Sequence, residues 1–386
     1  MTGPEAGAIM LSAGEASGDL HGGTLCLALR ELAPELRLFG MGGARMAAAG
    51  MQLIADPTRY AVVGTTEAVS RLPALYGAYR ALVRRLKRER PRALVLIDFP
   101  EFNLRLARQA RRAGVPVVYF IPPQLWAWRR GRLRLMARLA SRVLAVFPFE
   151  RPLYEGAGIP VEFVGHPLLD VLPLGLGRDE ARRRLGLDGR VPVVGILPGS
   201  RREEIARLLP PMLGAAHRLA ATDGSRRFLL GLAPAVDRHI LDGALGARQP
   251  GSPAIQVLEE RTHEIMAAAD ALLIASGTAT LEAALLGAPM VVCYRVSRLT
   301  AALSRLLIRI QWISLPNIVS GRTVVPEVLQ QAVSAERLAA EAQRLLEDPE
   351  AAAAQRRAFA ELRDRLGEPG VGRRAALAVL RVAGAS

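Results

Sequence analysis

Short, largely apolar runs recur along the chain and alternate with stretches of helical spacing. Residues 8–12, 93–97, 115–120 and 142–146 read as strands. Residues 18–32 and 103–113 between them carry apolar positions three and four apart, with arginines on the outer face. Strands that are apolar throughout predict a parallel sheet covered on both faces, and the alternation is that of βαβ units. The pattern breaks at residues 170–190, where Pro173, glycines and a charged stretch read as a linker. It restarts with strands at 193–197, 227–232, 255–258, 271–274 and 290–294, with a helix over 203–221. From Pro326 onward the spacing is almost entirely helical.

The expected fold class is α/β: two doubly wound, Rossmann-like domains facing a cleft, over residues 1–170 and 171–350. C-terminal helices, 351–386, are expected to pack away from the second domain, on the first domain or on a partner subunit. Their apolar stripe, including Leu362, Leu366, Leu377 and Val379, needs a surface to bury. In open parallel sheets ligands bind beyond the carboxyl ends of the strands, so the loops after the strands are where chemistry is sought.

Composition narrows the partners. The formal net charge is +15, from 51 Lys and Arg against 36 Asp and Glu, and almost all the excess is arginine. Base composition of the genome would give this; so would an anionic partner such as nucleic acid, anionic membrane or a phosphorylated substrate. Cys26 and Cys293 lie far apart in apolar stretches, which reads as buried thiols rather than a disulfide framework or metal site. The first eight residues lack the features of a signal peptide, and no apolar run is long enough to span a bilayer. Any membrane contact is expected to be peripheral. Residues 71–92 are one candidate, mixing Leu72, Leu75, Tyr76, Tyr79, Leu82 and Val83 with Arg80, Arg84, Arg85, Lys87, Arg88 and Arg90. Residues 299–312, where Arg305 and Arg309 interrupt an apolar run, are another.

Six loops carry candidate chemistry. SAGEASGDLHGG, residues 12–23, follows the first strand and opens a helix; its glycines admit a ligand to the backbone, and Glu15, Ser17, Asp19 and His21 exceed what helix capping requires. IDFPEFN ends a strand with Asp98, a carboxylate expected to point into the cleft. PPQLWAWR places Gln124 and Trp126 after another strand, a sugar- or acyl-facing surface or an ordinary packed tryptophan pair. LPGSRREE puts Ser200 and Arg201 at the first turn of the second unit, where backbone N–H groups and a guanidinium suit a pyrophosphate. SGTATLE offers Gly277, Thr278 and Thr280 at a helix start for phosphate, and Glu282 as a bidentate acceptor for ribose hydroxyls. Asn317 sits in the apolar loop SLPNIV. No GxSxG, HExxH or clustered His/Cys spacing occurs, and no DxD, so neither a metal nor another cofactor is expected.

Taken together and in order, SAGEASGDLHGG, GMGG at 40–43, IDFPEFN, PPQLWAWR, FVGHPLLD, LPGSRREEI, SGTATLEAALLGAPMVV and LPNIV followed by VPE resemble the lipid-A-disaccharide synthase family. The Pro122–Pro123 pair departs from the Ser-Pro expected of relatives. The resemblance implies the GT-B architecture and inverting transfer of 2,3-diacylglucosamine from UDP to the 6-hydroxyl of 2,3-diacylglucosamine 1-phosphate, a step of lipid A biosynthesis in Gram-negative bacteria. It implies a cytoplasmic enzyme peripheral to the inner membrane, with no nucleic-acid partner, and leaves room for a homodimer. On that reading Asp98 is the general base. Glu15, Ser17, Asp19, Gln124 and Trp126 face the acceptor, and Ser200, Arg201, Gly277, Thr278, Thr280, Glu282 and Asn317 bind UDP. Glu15 and Asp19 are the rivals for the base. Other readings are a UDP-N-acetylglucosamine epimerase, a peptidoglycan-precursor glycosyltransferase, or a basic nucleic-acid-binding protein; the last leaves the loops idle.

Overall fold

The computed structural model describes residues 7–57, 72–125, 131–188, 191–232, 253–297 and 311–384. The chain divides into two compact units, one of residues 1–171 with 366–386, the other of residues 172–365.

The first unit holds a seven-stranded parallel sheet: β1 (Ala8–Ala13), β2 (Arg37–Met41), β3 (Gln52–Ala55), β4 (Ala93–Ile97), β5 (Val117–Phe120), β6 (Arg142–Ala145) and β7 (Val161–Phe163). Their order is β3-β2-β1-β4-β5-β6-β7. The central strands β1, β4 and β5 are buried along their whole length, which is why they are apolar throughout. Gly40 in β2 has φ +151°, and a Cβ there would lie 1.9 Å from the Leu11 carbonyl oxygen, so no other residue fits beside β1. The helix Pro100–Arg112 shows the amphipathic pattern directly. Phe102, Leu104, Leu106, Ala107 and Ala110 are buried, while Arg105, Arg108, Arg111 and Arg112 are exposed.

The second unit repeats the plan with β8 (Val193–Leu197), β9 (Arg227–Leu232), β10 (Ile255–Glu259), β11 (Ala271–Ala275), β12 (Met290–Tyr294) and β13 (Glu327–Leu329), in the order β10-β9-β8-β11-β12-β13. Both thiols are buried, and burial pushes each up to about 12.

Three expectations change. The stretch 170–190 is not merely a linker. It contains the helix Arg178–Arg184, whose Arg182 is 1% exposed and donates to the Ala268 and Val191 carbonyls and to Asp270. Asp270 also accepts Val193 N–H, so this side chain anchors the helix to the edge of β8. Residues 351–365 do not leave the second unit. The helix Pro349–Arg365 buries Phe359 in that unit's core, and Gln355 exchanges hydrogen bonds with the Met290 backbone. Only the helix Val371–Ala383 packs with the first unit, against the helix Ala16–Leu32. Finally, the helix Leu72–Glu89 does not offer all its apolar residues to a lipid surface. Leu82 and Leu86 are fully buried, and Tyr79 and Val83 pack on the same core. Tyr76 stays 62% exposed, beside the Arg80 guanidinium. Residues 299–310 lie outside the described residues. Among the described residues no helix is long and apolar enough to cross a membrane.

Candidate functional site

In each sheet the strand order reverses at one place, between β1 and β4 in the first unit and between β8 and β11 in the second. Chains leaving such a pair diverge to opposite sides and open a crevice at the carboxyl end. Ala13 pairs with Ile97, so the next residues on each strand bring Glu15 and Asp98 to one crevice. Leu197 pairs with Ile274, so Ser200 and Arg201 share the other with Gly277 and Thr278.

Asp98 and Phe99 adopt left-handed backbone conformations, with φ 48° and 46°. Such conformations cost a residue with a side chain about 1–3 kcal/mol and persist only when the surroundings hold them. Here the Asp98 carbonyl accepts Asn103 Nδ2 at 2.8 Å and the Tyr119 hydroxyl at 2.9 Å. Asn103, itself fully buried, accepts the Ser12 hydroxyl at 2.7 Å and donates to the Ser12 and Ile97 carbonyls at 3.2 Å. The twist turns the Phe99 ring inward to stack on Phe102 at 5.5 Å. A Cβ on Gly14 would lie 2.1 Å from that ring, which explains one glycine of the first loop. Burial pushes the Asp98 carboxyl up to about 6, the Glu15 carboxylate adds to the rise, and the Phe99 N–H offsets part of it.

Glu15 and Ser17 are exposed at the start of the helix Ala16–Leu32, where no side chain caps the free N–H groups. Asp19 is elsewhere: buried, its carboxylate accepts the N–H groups of Gly43 at 2.7 Å, Arg45 at 3.0 Å and Met46 at 3.1 Å. It caps the helix Ala44–Ala48, an internal role that accounts for its place in the loop. His21 lies within the first helix. His166 is buried beside Phe147, and burial, with His21 nearby, pulls its imidazole down to about 3. Gln124 is exposed, and Trp126 lies outside the described residues.

In the second unit Ser200 is exposed, and Arg201 is 78% exposed with one ion pair, to Glu204 at 3.3 Å. Gly277 and Thr278 are exposed at the start of the helix Thr278–Leu285. Glu282 Oε2 lies 3.1 Å from His263 Nε2. Two calls change. Thr280 is fully buried and its hydroxyl donates to the Gly277 carbonyl at 2.7 Å, so it closes the turn instead of facing a ligand. Asn317 is fully buried too. Its amide donates to the Val325 carbonyl and to Glu327, and its oxygen accepts the Val324 and Val325 N–H groups. Every hydrogen-bonding position of that side chain is used internally, so from the helix Leu315–Ser320 it holds the segment 324–327 in place. Glu327 completes the scaffold by accepting the Ile313 and Ser314 N–H groups and the Ser314 hydroxyl. Ser276 ties it to the turn after β11 by donating to the Ile313 carbonyl.

Tyr119 and His263 were not singled out by sequence. A tyrosine in the all-buried strand VVYF was the available signal, since a buried hydroxyl must find a partner.

The family model described as lipid-A-disaccharide synthetase matches residues 9–382. A lipid-A-disaccharide synthase from Syntrophus aciditrophicus is 44% identical over 372 residues, covering 96% of this chain and 97% of its own. One from Geobacter sulfurreducens is 45% identical over 377 residues, covering 97% of each. Among solved structures, UDP-GlcNAc 2-epimerase from Neisseria meningitidis bound to UDP-GlcNAc superposes with TM-score 0.63 at 14% identity, over 97% of this chain and 99% of that one. A calicheamicin glycosyltransferase does so with TM-score 0.59 at 15% identity, over 98% and 99%. At such identities these last two show the fold alone.

Proposed function

The chain belongs to the lipid-A-disaccharide synthase family of glycosyltransferases, and from that premise we propose that it transfers 2,3-diacylglucosamine from UDP-2,3-diacylglucosamine to 2,3-diacylglucosamine 1-phosphate with Asp98 as general base. The acceptor's 6-hydroxyl oxygen attacks the anomeric carbon while its proton passes to Asp98. The bond from that carbon to the UDP oxygen breaks, UDP departs, and the α-linked donor becomes a β-1,6 product. The observation that carries the assignment is Asp98 itself: a carboxylate held in a strained backbone at the strand-order reversal, with its pKa raised to about 6. A base of that strength is ionised at neutral pH yet more basic than an ordinary aspartate. It also offsets positive charge in an oxocarbenium-like transition state. Glu15 and Ser17, exposed on the adjoining loop, serve acceptor hydroxyls, as does Gln124.

In the second unit, Ser200, Arg201 and the free N–H groups near Gly277 and Thr278 stabilise the departing diphosphate, where the helix start favours negative charge. Glu282, oriented by His263, receives the ribose hydroxyls. The absence of a DxD pair in the sequence supports a leaving group stabilised without a divalent ion. The enzyme works at the cytoplasmic face of the inner membrane, where the outer face of the helix Leu72–Glu89 presents exposed Tyr76, Arg80, Arg84, Lys87 and Arg88 to anionic headgroups.

Mass spectrometry of products from the donor and acceptor tests the reaction: a disaccharide 1-phosphate and UDP are expected. Asp98→Asn should lose at least about a hundredfold in kcat while UDP binding persists. A near-normal kcat in that variant passes the role to Glu15.

A further inference from the structure

We infer that Tyr119 and Asn103 are positioning residues for the transfer reaction, clamping the Asp98 carbonyl so that its carboxylate is held at the crevice. The inference rests on the reading of Asp98 as base and goes beyond it, since neither residue touches substrate.

Four elements converge on one peptide group. Ser12 is in β1, Asp98 follows β4, Asn103 lies in the first turns of the helix Pro100–Arg112, and Tyr119 is in β5. The contacts are short; the one from Ser12 to Asn103 is buried and the two to the Asp98 carbonyl are part-buried. Asn103 Nδ2 and the Tyr119 hydroxyl reach the Asp98 carbonyl at 2.8 and 2.9 Å, and Ser12 Oγ fixes the Asn103 amide from behind at 2.7 Å. Ser12 and Asn103 are fully buried and Tyr119 is 1% exposed.

Such a network is costly unless fully satisfied, because each buried polar group left alone costs about 1–3 kcal/mol. It also maintains two left-handed residues, Asp98 and Phe99, where a glycine would relieve the strain. A chain selected only for stability has no use for either expense. Both make sense if the carboxylate must sit in one place, because misplacing a reacting group by about 1 Å costs on the order of a hundredfold in rate. Burial also keeps the Tyr119 phenol far above its ordinary pKa, so it remains a hydrogen-bond donor across the working pH range.

The test is a double-mutant cycle on the full-length enzyme, with product quantified by mass spectrometry. Tyr119→Phe removes one hydroxyl and should lower kcat about 5–20-fold, with KM for both substrates within about twofold. In an Asp98→Asn background the same change should have no further effect, because nothing is left to position. The acid limb of the kcat/KM profile should also move down by about half a unit, as the freed carboxylate regains solvent. UDP binding and the melting temperature serve as folding controls. If Tyr119→Phe does not fold, Ser12→Ala, which loosens Asn103, takes its place with the same expected pattern. Wild-type kcat in these variants overturns the inference. So does an equal loss in both backgrounds, which would mark a merely structural role while leaving Asp98 as base. A near-normal kcat in Asp98→Asn alone is a separate result: it removes the base assignment.

Discussion

The Asn317 amide donates to the Glu327 carboxylate at 2.9 Å across ten residues of chain, and around that bond the segment 313–327 is built. Asn317→Ala would leave the Val324 and Val325 N–H groups and the Val325 carbonyl without the partners that Asn317 supplies, at a cost of about 2–4 kcal/mol. We expect a melting temperature lower by several degrees, with weaker UDP binding only as a consequence. Calorimetric UDP titration beside thermal melting separates the causes. An Asn317→Ala protein of unchanged stability that fails to bind UDP would show that the side chain touches the nucleotide after all.

That bond also marks where sequence reading stops. Central strands such as Ala93–Ile97, Val193–Leu197 and Met290–Tyr294 are legible because burial on both faces forces an unbroken apolar run. Shorter or partly exposed strands such as Gln52–Ala55, Val161–Phe163 and Glu327–Leu329 lack that run and were not anticipated. The loops after strands stood out through their small residues. What individual polar side chains do within them did not, because their partners are backbone groups set by tertiary structure. Asp19 is satisfied by N–H groups 24 to 27 residues away, and Tyr119 by a carbonyl 21 residues away. Nothing local to either residue announces such a partner.

Asp170, the last residue of the FVGHPLLD motif, accepts the N–H groups of Gly370 at 2.6 Å, Val371 at 3.2 Å and Gly372 at 2.8 Å. It thereby caps the helix Val371–Ala383 from 200 residues away, and Gly372 lets that helix approach Thr24 closely. Asp170→Ala should destabilise this docking by about 1–3 kcal/mol. Limited proteolysis should then release the C-terminal segment faster, while Asp170→Asn, which keeps an acceptor oxygen, loses less. Equal cleavage rates in wild type and Asp170→Ala would show that apolar packing alone holds the helix.

Charge reversal tests the membrane surface. Arg80→Glu with Arg84→Glu alters two exposed residues on the outer face of the helix Leu72–Glu89 while leaving buried Leu82 and Leu86 in place. Each basic residue near an anionic surface contributes about 1 kcal/mol. The pair should therefore weaken binding to vesicles containing anionic lipid by well over tenfold, with unchanged melting, and added salt should narrow the difference. If the vesicle affinity does not fall, docking resides elsewhere on the chain.

The raised pKa of Asp98 has a consequence for stability whose sign is opposite to that of an ordinary ion-paired aspartate. The group moves from 3.8 to about 6 on folding, chiefly because burial disfavours its charged form. Below about pH 4 it is protonated in both folded and unfolded chains and costs nothing. Between about pH 4 and 6 the folded state holds a proton that the unfolded state has released, so stability falls as pH rises. Above about pH 6 both are ionised and the full cost of the buried charge is present. A shift of this size corresponds to at most about 3 kcal/mol, and partial solvent access reduces it to about 1–2 kcal/mol. Asparagine carries no charge and tolerates the left-handed backbone as well as aspartate does. Asp98→Asn should therefore melt several degrees higher than wild type at pH 7.5, although nearly inactive, and the gap should close toward pH 4. Over the same range wild-type kcat/KM should rise through about pH 6, as the carboxylate becomes free to accept the hydroxyl proton. Melting curves of both proteins at pH 4, 5.5 and 7.5 decide the matter. A gap that is constant with pH, or a less stable Asp98→Asn, would mean that the charge of Asp98 is compensated in the folded protein and that its basicity is ordinary.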